Sequence, residues 1–144
     1  MKKMLAIVAV LAAGTGLSTA AHAESSVYDC QTASMENRGF IRERIVFSVD
    51  PATSTGAVAD DLVITRYGKP IEADVKVLGN GNYRVKWDVK NLKDRANSFN
   101  LSYTLTYRPA EQKFTVRAIV KGFDNRPSGS GTCTVTKGRA LPTS

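Results

Sequence analysis

The sequence predicts an all-β domain made of eight antiparallel strands that follow one another in a meander. Apolar and polar residues alternate with period two in successive segments, as in strands with one buried face. Prolines fall between these segments, where a missing N–H costs no ladder hydrogen bond. The two cysteines lie near the two ends of the patterned region. Eight such strands form either a closed barrel or a two-sheet β-sandwich. We predict the barrel, because a disulfide between the first and last strands requires them to be neighbours.

The first 23 residues have the features of a secretory signal peptide. They begin with Lys2 and Lys3, continue with an apolar run from residue 4 to about residue 17, and end in an Ala-x-Ala motif at 21–23. The apolar run is shorter than the roughly 20 residues that span a bilayer, and no second run follows, so we expect no membrane anchor. The mature protein is then one domain, residues 24–144, with a short flexible tail from about residue 138. We expect it in the periplasm or outside the cell.

Each predicted strand is placed by its alternating pattern. The strands cover Val27–Gln31, Ile45–Val49, Asp61–Arg66, Ile71–Val77, Tyr83–Val89, Phe99–Tyr107, Phe114–Val120 and Thr132–Thr136. The residues assigned to the core face of the internal strands are Ile45, Phe47, Val49, Leu62, Ile64, Ile71, Ala73, Val75, Val77, Tyr83, Val85, Trp87, Val89, Phe99, Leu101, Tyr103, Leu105, Tyr107, Phe114, Val116, Ala118 and Val120. The segment LGNGNY at 78–83 is a strong hairpin signal before the fifth strand. No segment after residue 23 has a convincing helical period, so no helix is predicted.

Cys30 and Cys133 are the only cysteines of the chain. In an exported protein, oxidised cysteine is the rule. A reactive redox pair normally has C-x-x-C spacing, which these two residues lack. We therefore predict one structural disulfide that joins the two ends of the domain.

Catalytic chemistry is narrowly limited by composition. His22 is the only histidine and lies within the expected signal peptide, so the mature chain lacks His triads, His general bases and His-ligated zinc or copper. Cleavage after Ala21 would instead leave His22 as an N-terminal copper ligand, but the Ala-x-Ala motif favours cleavage after Ala23. Phosphate-binding loops and nucleophile elbows are absent from the sequence. We expect a protein that is not an enzyme and that has no cofactor and no metal site.

Carboxylate pairs do not change this expectation. Asp60 and Asp61 are adjacent, so in the predicted strand they point to opposite faces. Glu72 and Asp74 share a face, but it is the solvent face. Neither pair is arranged for acid–base work.

The charge of the chain permits anionic partners. Loss of Lys2 and Lys3 with the signal peptide lowers the formal net charge from +7 to +5. This balance allows association with anionic surfaces such as lipopolysaccharide, peptidoglycan or acidic proteins. The run at 84–95 places Arg84, Lys86 and Lys90 on one solvent face. It also contains acidic residues and no outward aromatic side chain, so we interpret it as an ordinary charged exterior and expect no nucleic-acid partner.

The inward aromatic residues define a candidate pocket made of Tyr83, Trp87, Phe99 and Tyr103. An eight-stranded barrel is just wide enough to be filled by side chains or to hold one small ligand. One interpretation is therefore a packed core, and the other is a pocket for a small apolar ligand.

A candidate binding rim comes from two loop segments. The longest turn-like segment is 122–132, which is rich in glycine and serine and ends one residue before Cys133. The segment 32–40 follows Cys30 and should lie opposite it. Together they would form a rim braced by the disulfide that presents Met35, Arg38, Phe40, Phe123, Asp124 and Arg126. Apolar and arginine side chains are enriched at protein-binding sites.

The opening Tyr28-Asp29-Cys30, the meander of short strands and the cysteine in the last strand resemble the small exported calycin-like β-barrels of Gram-negative bacteria. The membrane-associated C-type lysozyme inhibitors are among these. The resemblance implies a compact barrel with an end-to-end disulfide, and an inhibitory loop at the barrel rim. Their inhibitory serine and lysine motifs do not match this sequence residue by residue, so no site residue is carried over. We expect a non-enzymatic binding protein that engages a protein or cell-envelope partner through its rim. The alternatives are a carrier of a small apolar ligand and an inhibitor of lysozyme or another hydrolase.

Overall fold

The computed structural model describes residues 24–35 and 39–141. Its elements are β1 (Ser26–Met35), β2 (Arg44–Asp50), β3 (Thr55–Ala59), α1 (Asp61–Tyr67), β4 (Ile71–Val77), β5 (Tyr83–Asp94), β6 (Asn97–Arg108), β7 (Lys113–Val120) and β8 (Ser128–Lys137). Each strand pairs antiparallel with the next, and β8 pairs with β1, so the sheet is a closed barrel. The predicted eight-stranded meander barrel is confirmed, and the sandwich alternative is wrong. The predicted signal peptide, Arg38 and the last three residues lie outside the described residues.

The barrel closes along β1 and β8, whose residues pair from Ser26 to Met35. Cys30 lies directly opposite Cys133 in this pairing, and the two form the predicted disulfide with their Cα atoms 4.0 Å apart. The disulfide lies in the middle of both strands and not at the base of a loop. The prediction that it braces the rim is therefore wrong.

The predicted third strand is a helix. Residues 61–67 form α1, which begins after Asp60 and ends before Gly68. A side-chain oxygen of Asp60 accepts a hydrogen bond from the N–H of Val63 at 2.8 Å, which caps the first turn. Gly68 has φ +72° and donates its N–H to the carbonyl of Ile64 at 2.8 Å, a C-terminal cap that glycine adopts without a steric penalty. These two caps define a short helix where the alternating pattern suggested a strand.

The side chains of α1 accordingly differ from the strand prediction. Val63 is fully buried, whereas Ile64 is 43% exposed and Leu62 is half-buried. The helix lies over one end of the barrel and is held to β5 at Lys90. The Lys90 N–H donates to the hydroxyl of Tyr67 at 2.9 Å, and the Arg66 Nε donates to the carbonyl of Lys90 at 2.9 Å.

The real third strand is β3, which the sequence pattern did not reveal. Its residues TGAVA are small, and Gly56 is of a residue type that is common in turns. Gly56 lies within the sheet, where an added Cβ would be 2.2 Å from the carbonyl oxygen of Ser48 and 2.7 Å from Cγ2 of Val75. Glycine is required at this position because the neighbouring strand is too close for any side chain.

The inward faces of the other internal strands follow the alternating pattern. Buried residues alternate with exposed ones along β7, and the core-face residues predicted for β6 are buried from Leu101 to Tyr107. The prediction fails for Val77, which is 46% exposed because it is the last residue of β4 and lies at the end of the barrel. The predicted hairpin at 78–83 is confirmed, since residues 78–82 connect β4 to β5.

The two ends of the barrel differ in construction. One end, here called the helix end, carries the β1–β2 connection, α1, the β5–β6 hairpin and the β7–β8 loop. The opposite end carries the three short turns at 51–54, 78–82 and 109–112. The β7–β8 loop covers only residues 121–127, because residues 128–132 pair with β7 as part of β8. The predicted loop at 122–132 was too long, since a serine- and glycine-rich segment can still form a strand. Within the described part of the chain, no helix is long and apolar enough to cross a membrane.

Candidate functional site

The four residues of the predicted pocket do not line one cavity. Trp87 stacks on Tyr103 in the middle of the barrel, with ring centroids 4.9 Å apart. Tyr83 lies at the opposite end from α1, and Phe99 lies at the helix end against Phe40. Trp87 is 4% exposed and Tyr103 is 1% exposed, so the middle of the barrel is filled by stacked rings.

A second aromatic cluster fills the interior at the opposite end. Tyr28 stacks on Phe47 with ring centroids 4.7 Å apart. It makes edge-to-face contacts with Tyr83 and Tyr107, with ring centroids 6.0 and 4.8 Å apart. Burial raises the pKa of Tyr28 and of Tyr107 above the ordinary value for tyrosine. The four rings belong to the core or pack against it, so the cluster acts as packing. The sequence analysis placed Tyr28 only as part of an end strand.

A polar cluster holds α1 at the helix end. The Arg42 guanidinium donates from two nitrogens to both carboxylate oxygens of Asp61, and these hydrogen bonds lower the pKa of that carboxyl. The hydroxyl of Tyr103 donates to the carbonyl of Phe40 at 2.7 Å. Together these bonds tie the helix and the β1–β2 connection to the barrel end.

Asp60 is the buried member of this cluster and is 6% exposed. One carboxylate oxygen caps α1, while Oδ2 has no hydrogen-bond partner among the described residues. Desolvation raises the pKa of Asp60. The prediction that Asp60 and Asp61 point to opposite faces of a strand is wrong: Asp60 caps a helix, and Asp61 forms an ion pair. Within residues 24–35 and 39–141, no three His, Cys, Asp or Glu residues are grouped so that they could hold a metal ion.

The predicted rim residues are divided between packing and exposure. Met35 and Phe40 are half-buried and pack against the core. The other described rim residues, Phe123, Asp124 and Arg126, are exposed in the β7–β8 loop, and Phe123 is 61% exposed. The described residues of both segments lie at the helix end, where β1 ends and β7 is followed by its loop. The predicted segment 32–40 began too early, because residues 32–35 belong to β1.

The loop that carries Phe123 has a defined conformation. Gly122 has φ +89°, and the N–H of Phe123 donates to the carbonyl of Val120 at 3.1 Å. At the far side of the loop, the carbonyl of Pro127 accepts from the N–H of Ala118 at 2.9 Å. These bonds anchor both ends of the loop to β7 and leave the Phe123 ring in solvent.

A charged surface that the sequence analysis described only in part lies on the outside of β5, β6 and β7. Its six residues, here called the basic face, are Arg84, Lys86, Thr104, Thr106, Thr115 and Arg117. The alternating pattern already placed Arg84, Lys86 and the β6 threonines outward. What the sequence could not reveal was the register that brings Arg117 beside Thr104 and Thr104 beside Lys86.

The chain was compared with protein-family models, with curated proteins and with solved structures, and no match was found.

Proposed function

We propose that this chain is a non-enzymatic binding protein that recognises a protein partner through the β7–β8 loop at the helix end. The observation that carries the proposal is the exposure of Phe123, a large aromatic side chain on a loop anchored at both ends. Aromatic and arginine side chains dominate the energetics of protein interfaces, and Arg126 lies three residues away. A loop that is already ordered has less conformational entropy to lose on binding.

The filled interior favours this function over the carrier alternative. A carrier needs space for its ligand, whereas Trp87 and Tyr103 stack against each other in the middle of the barrel. With these two rings stacked in the middle of the barrel, we expect binding at the loops and the outer surface of the barrel.

The proposed location is the periplasm or the exterior of the cell. The Ala-x-Ala motif at 21–23 supports export. The Cys30–Cys133 disulfide supports an oxidising compartment.

The resemblance to the lysozyme inhibitors suggests which protein to test first. Those proteins act through a loop at the barrel rim, and the β7–β8 loop is exposed at a rim. We therefore include a C-type lysozyme in the binding test, with inhibition of a hydrolase as a specific form of the proposed function.

The test uses a photocrosslinking amino acid at position 123 of the exported protein. The matched control carries the same amino acid at position 77, because Val77 is exposed at the opposite end of the barrel. We expect position 123 to give a discrete protein adduct that position 77 does not give. Phe123→Ala should then weaken the affinity for the purified partner about tenfold or more, while Val77→Ala leaves it unchanged.

Two results would contradict the proposal. One is an identical set of adducts from positions 123 and 77. The other is an unchanged affinity of Phe123→Ala for the purified partner, including lysozyme if that is the partner found. Circular dichroism provides the folding control, and we expect no change because an exposed side chain contributes little to stability.

A further inference from the structure

The outer surface of the barrel carries two parallel rows of polar residues that run across the strands. In each row, consecutive members are paired on neighbouring strands. The first row is Lys76, Arg84, Thr106, Thr115, Ser130 and Ser34, and the second is Thr55, Asp74, Lys86, Thr104, Arg117 and Ser128. Because the sheet is a closed barrel, the full rows curve around its wall. Neighbouring strands lie about 4.8 Å apart, so the part of each row on β5, β6 and β7 is about 10 Å long. The basic face defined above is the centre of these rows.

The cations of the basic face are not neutralised by the protein. Among residues 24–35 and 39–141, Arg84, Lys86 and Arg117 take part in no ion pair, whereas the guanidinium groups of Arg42 and Arg44 are both paired with aspartates. Asp74 lies beside Lys86 in the register but does not form a salt bridge with it. The three cations therefore surround the hydroxyls of Thr104 and Thr106 with a net positive charge.

The chemistry of the basic face matches an anionic sugar polymer. Guanidinium and ammonium groups bind carboxylate, phosphate or sulfate groups, and threonine hydroxyls can donate to or accept from sugar hydroxyls. The part of the rows on β5, β6 and β7 suits a short stretch of a linear ligand that lies across these strands. Phe123 is the only strongly exposed aromatic residue in the described chain, and it lies in the β7–β8 loop. The face thus lacks the rings on which single-stranded nucleic acids stack.

From this combination we infer that the basic face is a second binding site, one that takes an anionic polysaccharide. Arg84, Lys86 and Arg117 contact the anionic groups, and Thr104 and Thr106 contact the sugar hydroxyls. This site is on the barrel wall and is independent of the protein-binding loop, so Phe123→Ala leaves polysaccharide binding unchanged.

Calorimetric titration of the mature, disulfide-bonded protein with dextran sulfate tests the inference, with neutral dextran as the control ligand. The face variant carries Arg84→Gln, Lys86→Gln and Arg117→Gln. The matched control variant carries Lys69→Gln, Lys93→Gln and Arg139→Gln, which lowers the net charge equally at exposed positions away from the face. We expect the face variant to raise the Kd for dextran sulfate at least about tenfold and the control variant to change it less than about twofold.

A variant with Thr104→Val and Thr106→Val keeps the charge and the shape of the side chains. We expect it to raise the Kd for dextran sulfate about fivefold, because two hydroxyl hydrogen bonds are lost. An unchanged Kd for this variant would show a simple cationic surface and overturn the inference.

Other results also overturn it. Equal weakening by the face and control variants would indicate nonspecific attraction between net charges. Tighter face-dependent binding of single-stranded DNA, or of vesicles containing phosphatidylglycerol, would assign the face to nucleic acid or to a membrane surface instead. Absence of dextran sulfate binding at low salt would also overturn the inference, because electrostatic affinity is greatest at low salt.

Discussion

At the scale of single residues, Asp60 combines two opposing effects. Its carboxylate caps α1 through the N–H of Val63, yet the buried Oδ2 has no hydrogen-bond partner in the described part of the chain. The groups facing it are the paired Arg42 and Asp61, and their charges act in opposite directions on its pKa. Desolvation is the largest effect and raises that pKa, so the protein stabilises the neutral form of this side chain.

The raised pKa of Asp60 makes the stability of the folded protein depend on pH. A carboxyl whose pKa is raised on folding favours the folded state most when it is protonated, below its unfolded value of about 3.9. This contribution is lost as the pH rises through the raised value. Asp60→Asn keeps an oxygen for the cap and removes the buried charge. We expect it to be at least as stable as the wild type at pH 7, and about 1 kcal/mol more stable than Asp60→Ala, which loses the cap.

The free energy of unfolding in urea, measured at pH 7 and pH 5, tests this prediction. The advantage of Asp60→Asn over the wild type should shrink as the pH falls. Asp61→Asn is the control of opposite sign: because Arg42 lowers the pKa of Asp61, the stability that Asp61 contributes is present at pH 7 and is lost in acid. An Asp60→Asn variant that is several kcal/mol less stable at pH 7 would mean that the carboxylate charge itself is needed.

At the scale of elements, glycines set how closely the strands approach. Gly131 of β8 lies between β1 and β7, and an added Cβ would be 1.9 Å from the carbonyl oxygen of Gln31 and 3.0 Å from Cε1 of Phe114. The same kind of contact occurs at Gly56 in β3. These two positions explain why glycine-containing segments that resembled loops are parts of the sheet.

Gly131→Ala should therefore loosen the closure of the barrel. We expect a loss of about 1–3 kcal/mol in the free energy of unfolding, because backbone atoms must move to accept the methyl group. The matched control is Gly79→Ala in the turn before β5, where nothing lies within 4 Å of the added Cβ and the change should stay within about 0.5 kcal/mol. Equal stability of the two variants in urea unfolding would refute the predicted close contact.

At the scale of the whole molecule, one covalent bond joins the first and last strands. Cys30 and Cys133 are 103 residues apart in sequence, so the disulfide restrains a long loop in the unfolded chain. In the chain-entropy model a loop of about this length contributes up to about 4.7 kcal/mol. Because β1 and β8 also pair along most of their length, the sheet itself can hold them together.

Removal of the disulfide should thus destabilise the barrel without changing its fold. We expect the variant with Cys30→Ala and Cys133→Ala to lose about 2–4 kcal/mol in urea unfolding and to keep the β-sheet circular dichroism of the wild type at 25 °C. The reduced wild type separates the loss of the bond from the loss of sulfur packing at these two buried positions. A variant that unfolds completely would show that strand pairing alone does not close the barrel.

The packing of the whole interior can be tested through Trp87, the only tryptophan of the chain. Because it is buried against Tyr103, its fluorescence should report any ligand that enters the barrel. We expect no saturable change on titration with fatty acids or quinones, since these ligands would have to displace stacked rings. A saturable shift would favour the carrier function over a packed core.

Local pattern determined much of this protein. The alternation of apolar and polar residues predicted most of the strands and the burial of Trp87, because side-chain direction in a strand depends only on sequence position. The two cysteines predicted the closure, because a disulfide requires the first and last strands to be neighbours. The caps at Asp60 and Gly68 are local signals for a helix that the alternating pattern did not reveal.

Tertiary structure decided the rest. Packing of α1 on the barrel end, with Val63 buried and Tyr67 bonded to Lys90, favours the helix over a strand. Whether residues 128–132 form a loop or a strand depended on pairing with β7. The basic face exists only because register aligns residues from three strands. That register depends on the turns between the strands and on burial of their inner faces, which the polar residues of the outer face do not encode.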